Sequence, residues 1–155
     1  MNNNESNIIE YYNGVFDTYA DIKNSITQNI SYSFILEKIE PNDTNGIIKI
    51  LEKNFEYKDS KIITEKIKDS EFKKLLLSWL VSSEDLSNSS QERYTNLLED
   101  LVRNITSELK ITEFLKISDS SFERNDGINQ YGQLVDIAIM KNELSSYLCI
   151  FMFDG

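Results

Sequence analysis

Two runs near the C-terminus constrain the fold more than any other feature of this sequence. Gln133-Leu134-Val135-Asp136-Ile137-Ala138-Ile139-Met140 and Ser146-Tyr147-Leu148-Cys149-Ile150-Phe151-Met152-Phe153 are rich in branched and aromatic residues. Such residues suit a pleated surface, and Lys141-Asn142-Glu143-Leu144-Ser145 between them supplies a turn. A β-hairpin is predicted, with a further strand before it as an option; upstream, Leu109, Ile111, Leu115 and Ile117 alternate loosely. Short apolar runs do not by themselves distinguish strand from helix, so a buried helix through 128–145 is the alternative. A hairpin is not stable alone and has to bury its apolar face against another layer.

The rest of the chain offers helices for that layer. Ile8, Tyr12, Val15, Phe16, Tyr19, Ile22 and Ile26 recur every three or four residues, which predicts a helix over about 6–28. Gly14 weakens it by roughly 1 kcal/mol relative to Ala. Tyr32 to Ile39 is compatible with a short strand or a helical turn. Pro41 to Gly46 reads as a turn with Asp43 or Thr44 as a cap. Ile47, Ile48, Ile50, Leu51 and Phe55 predict a second helix, and Ile62, Ile63 and Ile67 a short helical segment capped by Ser60. Phe72, Leu75, Leu76, Trp79 and Leu80 form a tight stripe starting near Asp69 and Ser70. After a polar connection, Ser89-x-x-Glu92 matches a capping box. Tyr94, Leu97, Leu98, Leu101, Val102, Ile105 and Leu109 then hold one face, with Glu99 and Arg103 in the favourable i, i+4 order. This helix is the natural cover for the hairpin.

At 155 residues there is room for one core. The expected fold is α+β, with a mainly α-helical N-terminal two-thirds packed on a small C-terminal antiparallel β-hairpin or meander. A single domain over 1–155 is expected.

The absence of histidine from the sequence removes the commonest neutral-pH general base and metal ligand. One cysteine in an apolar run, Cys149, makes neither a thiolate zinc site nor an intramolecular disulfide. The five glycines never assemble a phosphate-cradling loop. Glu84-Asp85 and Glu99-Asp100 are adjacent, so on a helix they point apart. Asp119, Glu123 and Asp126 miss the alternating calcium-loop pattern, and Asn125-Asp126-Gly127 signals a tight turn. Asp136, inside a strand run, is expected on the wet face or paired, the wet face being the ordinary case. No enzyme, cofactor or metal is expected.

The net charge of -10 is uneven. Residues 1–46 hold 7 acids against 2 bases, 47–81 hold 6 against 8, and 82–155 hold 13 against 6. Such a field repels nucleic acid and anionic membrane and steers a basic partner inward. No stretch approaches the roughly 18–20 apolar residues of a membrane span. The N-terminus carries neither the basic region nor the apolar run of a secretory signal, so a cytoplasmic location is expected.

Thr106-Ser107-Glu108-Leu109-Lys110-Ile111-Thr112, followed by Asp126-Gly127-Ile128-Asn129-Gln130-Tyr131-Gly132-Gln133, resembles part of the B-cell-lymphoma family of apoptosis regulators. That family has an Asp-Gly-x-Asn-Trp-Gly-Arg segment opening its central helix; here the Trp and Arg are replaced and one residue is inserted before Gly132. The resemblance implies a helical protein holding death-motif helices in a groove.

The leading expectation comes from physical character: an acidic protein-binding module. Bacterial immunity proteins, which neutralise a basic toxin or nuclease by direct binding, exemplify the type. Steering by acids gives fast association, and aromatic anchors give affinity. Glu84, Asp85, Asp119, Glu123 and Asp126 are the candidate steering acids, and Tyr131 and Tyr147, with Tyr11 and Tyr12, the candidate anchors. A structural adaptor whose long helix pairs with a partner helix is the third possibility.

Overall fold

The computed structural model describes residues 3–26, 31–40, 42–54, 64–80, 88–117 and 133–154. Four helices, α1 (Asn3–Ile26), α2 (Thr44–Asn54), α3 (Asp69–Leu80) and α4 (Asn88–Glu108), accompany five strands. The strands are β1 (Ser31–Ile39), β2 (Thr64–Ile67), β3 (Glu113–Ile117), β4 (Gln133–Lys141) and β5 (Ser146–Asp154). They form one sheet in the order β1-β5-β4-β3-β2, antiparallel throughout. The α+β expectation holds, with helices mostly early in the chain and strands mostly late.

The hairpin is β4 and β5, in register from Lys141↔Ser146 to Gln133↔Asp154. Residues 133–141 are therefore strand where the alternative reading had helix, and they also replace the helix that the apoptosis-regulator resemblance implies after Gly132. Tyr32 to Ile39 resolves as strand, because it pairs along its whole length with β5. The short helical segment expected around Ile62, Ile63 and Ile67 is not found in its described part. Thr64–Ile67 is strand β2, paired with β3, and not part of a helical segment. Two of its four residues are β-branched at the ends, and ladder bonds to β3 outweigh a weak local preference.

The inner strands are buried on both faces, and side chains alternating along them divide between two cores. Ile35 and Glu37 of β1 and Glu65 and Lys66 of β2, by contrast, are exposed. Phe34, Leu36, Phe114, Ala138, Met140, Tyr147, Cys149 and Phe151 face α1, α3 and α4, which contribute Tyr12, Phe16, Phe72, Leu76, Trp79, Val102 and Ile105. On the opposite face Leu115, Ile117, Ile137, Ile139, Leu148 and Ile150 form a second core with Ile39 and with Ile47 of α2. Thus α4 is not the sole cover. The continuous apolar runs of β4 and β5 follow from burial on two sides.

Asp136 lies on the helix side, where it accepts a 2.8 Å hydrogen bond from Trp79 Nε1. The wet-face expectation is corrected: the acid satisfies a buried indole that would otherwise cost about 1–3 kcal/mol. Arg103 pairs with Asp100, one turn back, and not with Glu99 as spacing suggested.

Helix α2 is capped as its sequence pattern predicts, whereas α3 and α4 start elsewhere than expected. At α2, Asp43 is the cap: its Oδ2 accepts from Gly46 N–H at 2.9 Å. At α3 the cap position falls on Lys68, whose carbonyl accepts from Phe72 N–H at 3.1 Å while Glu71 Oε1 accepts from Lys68 N–H at 3.4 Å. Asp69 and Ser70 are already inside. Helix α4 begins at Asn88, ahead of Ser89. Its C-terminus is a Schellman motif, with Ile111 N–H donating to Thr106 O at 2.9 Å and Lys110 N–H to Ser107 O at 3.3 Å.

That motif puts Lys110 at φ 55°, where glycine is the residue without penalty. Gly14 is the converse, a glycine inside α1 where an added Cβ meets nothing within 4 Å. Lys110→Gly and Gly14→Ala are each expected to stabilise by roughly 0.5–1 kcal/mol. Urea-unfolding midpoints check this, and the two changes should add, since the sites share no contact.

Candidate functional site

An open cleft of about 500 Å³ lies where the start of α1, the end of α4 and the β4–β5 loop meet. Glu5, Glu108 and Glu143 are its acids and Lys110 its base among the lining residues. Each carboxylate comes from a different element, and two are held by hydroxyls from the core.

Glu5, in the first turn of α1, receives a 2.6 Å hydrogen bond from Tyr147 Oη of β5. Lys38 Nζ of β1 lies 3.1 Å from its Oε1. Burial raises the pKa of Glu5, but the hydrogen bonds from Tyr147 and Lys38 outweigh it, and the carboxyl titrates below its ordinary range. The carboxylate is therefore fixed and charged. Across the cleft Tyr12 Oη donates to Glu108 Oε2 at 2.9 Å. Burial, with Glu108 beside it, pushes the Tyr12 hydroxyl upward, so it remains a donor.

Asn142 shapes the floor. Its Oδ1 accepts from Leu144 N–H at 2.9 Å and Ser145 N–H at 2.8 Å, and its Nδ2 donates to Leu109 O at 2.7 Å. One side chain thus closes the β4–β5 loop and ties it to the end of α4. Leu144 at the loop tip is 87% exposed.

Glu5 already holds the Lys38 ammonium, and Glu108, fixed by Tyr12, offers an acceptor for a further ammonium or guanidinium group. Among the described residues no cluster of three or more acids and thiols is arranged to hold a metal ion. Cys149 is buried, and its burial pushes the thiol up to about 12. Burial and the bond to Glu5 raise Tyr147 to about 12 as well. Both groups favour the folded state while protonated, so their contribution is complete below the unfolded pKa values of about 9 and 10 and is lost as pH rises toward about 12. Stability to urea is accordingly expected to fall over that alkaline window. Thiol labelling of Cys149 should track global unfolding; fast labelling of the native chain would contradict the burial.

The sequence-predicted site residues fare unequally. Glu84, Asp85, Asp119, Glu123, Asp126 and Tyr131 lie outside the described residues. Tyr147 is a core residue, 2% exposed, and acts by holding Glu5. An anchor needs a ring that a partner can reach, so its role is internal; Tyr12 is buried in the same way. Tyr11 is the accessible one, at 65%. Glu5, Glu108, Glu143 and Asn142 were not singled out by sequence, since no local pattern links residues this far apart.

No protein-family model matches this chain, and neither the curated proteins nor the solved structures yield a match. No helix among the described residues is long and apolar enough to cross a membrane.

Proposed function

We propose that this chain is a protein-binding module that neutralises a basic partner, a toxin or nuclease domain, by direct contact. The observation that carries the reading is the cleft, where Glu5 is matched by Lys38 while Glu108 and Glu143 outnumber Lys110, on a chain of net charge -10. Tyr12 holds the Glu108 carboxylate in place, so binding a cationic side chain there costs little ordering of that acid. A cytoplasmic location belongs to the same reading and agrees with a buried free thiol.

The test begins with capture of host proteins on the immobilised full chain, followed by stopped-flow association of the captured protein. A basic partner is expected. Its association should slow on the order of tenfold or more between about 0.01 M and 0.15 M salt, as the screening length shrinks from about 30 Å to about 8 Å. Glu143→Lys should slow it further at low salt. A salt-independent rate would remove the steering argument. Turnover of a substrate by the purified chain alone would replace the binding reading with an enzymatic one.

A further inference from the structure

Helix α1 buries one apolar face in the core and carries beside it a second, partly exposed stripe, of which Val15 packs against the edge of the core. Ile9, Tyr12, Phe16 and Ala20 are buried against the sheet and neighbouring helices. Tyr11, Val15, Thr18 and Ile22 follow a second line with i, i+4, i+7, i+11 spacing, which on a 3.6-residue helix is a single stripe. Tyr11 is 65% and Ile22 47% exposed, so the stripe presents two large apolar side chains that a partner can reach.

The stripe is one wall of a groove. Val15, Thr18, Tyr19 and Ile22 line it with Tyr94 of α4, enclosing about 250 Å³. Leu97, one turn along α4, is 49% exposed. The same two helices meet again at the acidic cleft, where Tyr12 bonds Glu108. Groove and cleft therefore lie along one α1/α4 seam, roughly 20 Å from Ile8 to Ile22 at 1.5 Å per residue.

Charge selects the occupant. Glu10, Asp17 and Asp21 of α1 are exposed, and their i, i+7, i+11 spacing places them on one line beside the stripe, on the side away from α4. The only base of α1, Lys23, is buried with its Nζ 4.6 Å from the Tyr32 ring centroid. The α4 side is mixed, with Arg93 and Asp100 exposed. Along the α1 rim, then, every exposed charge is negative.

We infer that the α1/α4 seam is a docking groove for an amphipathic helix of a basic partner. Apolar residues of the partner seat on Tyr11, Val15 and Ile22, and its Lys or Arg residues face Glu10, Asp17 and Asp21. This deepens the proposed function and rests on it, naming the partner's secondary structure and the apolar anchors. A helix of about 14 residues spans the seam.

The probe is a labelled 18-residue Leu/Lys amphipathic helix, with a Leu/Glu version of the same apolar face as its control; anisotropy is read on the full chain. Saturable binding of Leu/Lys, at least tenfold weaker binding of Leu/Glu, and at least tenfold loss on Tyr11→Ser or Ile22→Ser are expected. Asp17→Lys with Asp21→Lys should erase the preference for Leu/Lys. These residues are exposed, so circular dichroism should stay unchanged. Tyr11→Ser also loses an edge-on contact with Tyr12 and should lower the urea midpoint slightly, while Ile22→Ser should leave it in place. Equal binding of both peptides, or indifference to Tyr11→Ser and Ile22→Ser, overturns the groove. So does a concentration-dependent dimer that Tyr11→Ser dissolves, because the stripe would then be a self-interface. If the captured basic partner keeps its salt-dependent association while ignoring Tyr11→Ser, the groove fails and the binding reading stands. If no basic partner associates, the reading fails first.

Discussion

Phe151→Ala is expected to cost about 3–5 kcal/mol, a large part of what holds a domain of this size folded. Phe151 is fully buried on β5, directly across from Phe34 on one side and Asp136 on the other. Its ring lies 5.8 Å from Phe34, 5.9 Å from a near-parallel Trp79 and 6.3 Å from Phe16. Truncation removes the transfer energy of the ring, then adds a cavity where three aromatic contacts worth about 0.5–1.5 kcal/mol each had been. It also loosens Trp79, whose Nε1–H is aimed at Asp136. Urea unfolding should show a lower midpoint with an unchanged slope. Phe151→Leu, which keeps most of the volume, should cost less than half as much. A loss under about 1 kcal/mol for Ala would mean that the site collapses freely and that the aromatic cluster does not organise this face.

How much of this was readable beforehand depends on whether a residue's role was local. Helices α1, α3 and α4 announced themselves because one buried face repeats every 3.6 residues, as in Phe72, Leu76, Trp79 and Leu80. The hairpin was readable from branched and aromatic density. Strand β1 was ambiguous for a physical reason: Phe34 and Leu36 face one core and Ile39 the other, so a half-buried alternation is only partly present. Strand β2 was misread because four residues with one buried side chain carry no period; pairing with β3 decides it. The extent of the sheet was hidden as well. Its outer strands come from the first half of the chain, which the sequence pattern assigned chiefly to helices.

The site was less legible than the fold. Glu5 and Tyr147 stand 142 residues apart, and Tyr12 and Glu108 stand 96 apart. Before folding, each is an ordinary surface acid or core aromatic. Asp136 stands out in the sequence as an acid inside a strand run, but its partner lies on another element, 57 residues away. What sequence did carry was the sign of the charge and, in Tyr11, one accessible aromatic.

Asn13 and Asn24 illustrate the limit most sharply and give the second large expected effect. Strand β1 is the outer strand of the sheet, and its free edge would expose unpaired N–H and C=O groups. Asn13 Oδ1 accepts from Leu36 N–H at 2.8 Å while its Nδ2 donates to Leu36 O at 2.8 Å. Asn24 does the same for Tyr32, at 2.6 Å and 3.1 Å. Each amide acts as a one-residue strand laid on the edge, and α1 carries both in place. Leu36 is buried and Tyr32 largely so; removing an amide therefore strands a donor and an acceptor away from water, about 1–3 kcal/mol for each group. Asn13→Ala is expected to cost about 2–4 kcal/mol, and the double change with Asn24→Ala, which strands four groups, to match or exceed the Phe151→Ala loss. Gln cannot rescue either position, since one added methylene misplaces both atoms of the fork. The double variant should also associate through the reopened edge, giving sheet-rich oligomers that light scattering detects before global unfolding. Destabilisation without association would mean that bulk packing of α1, and not these two amides, guards the edge.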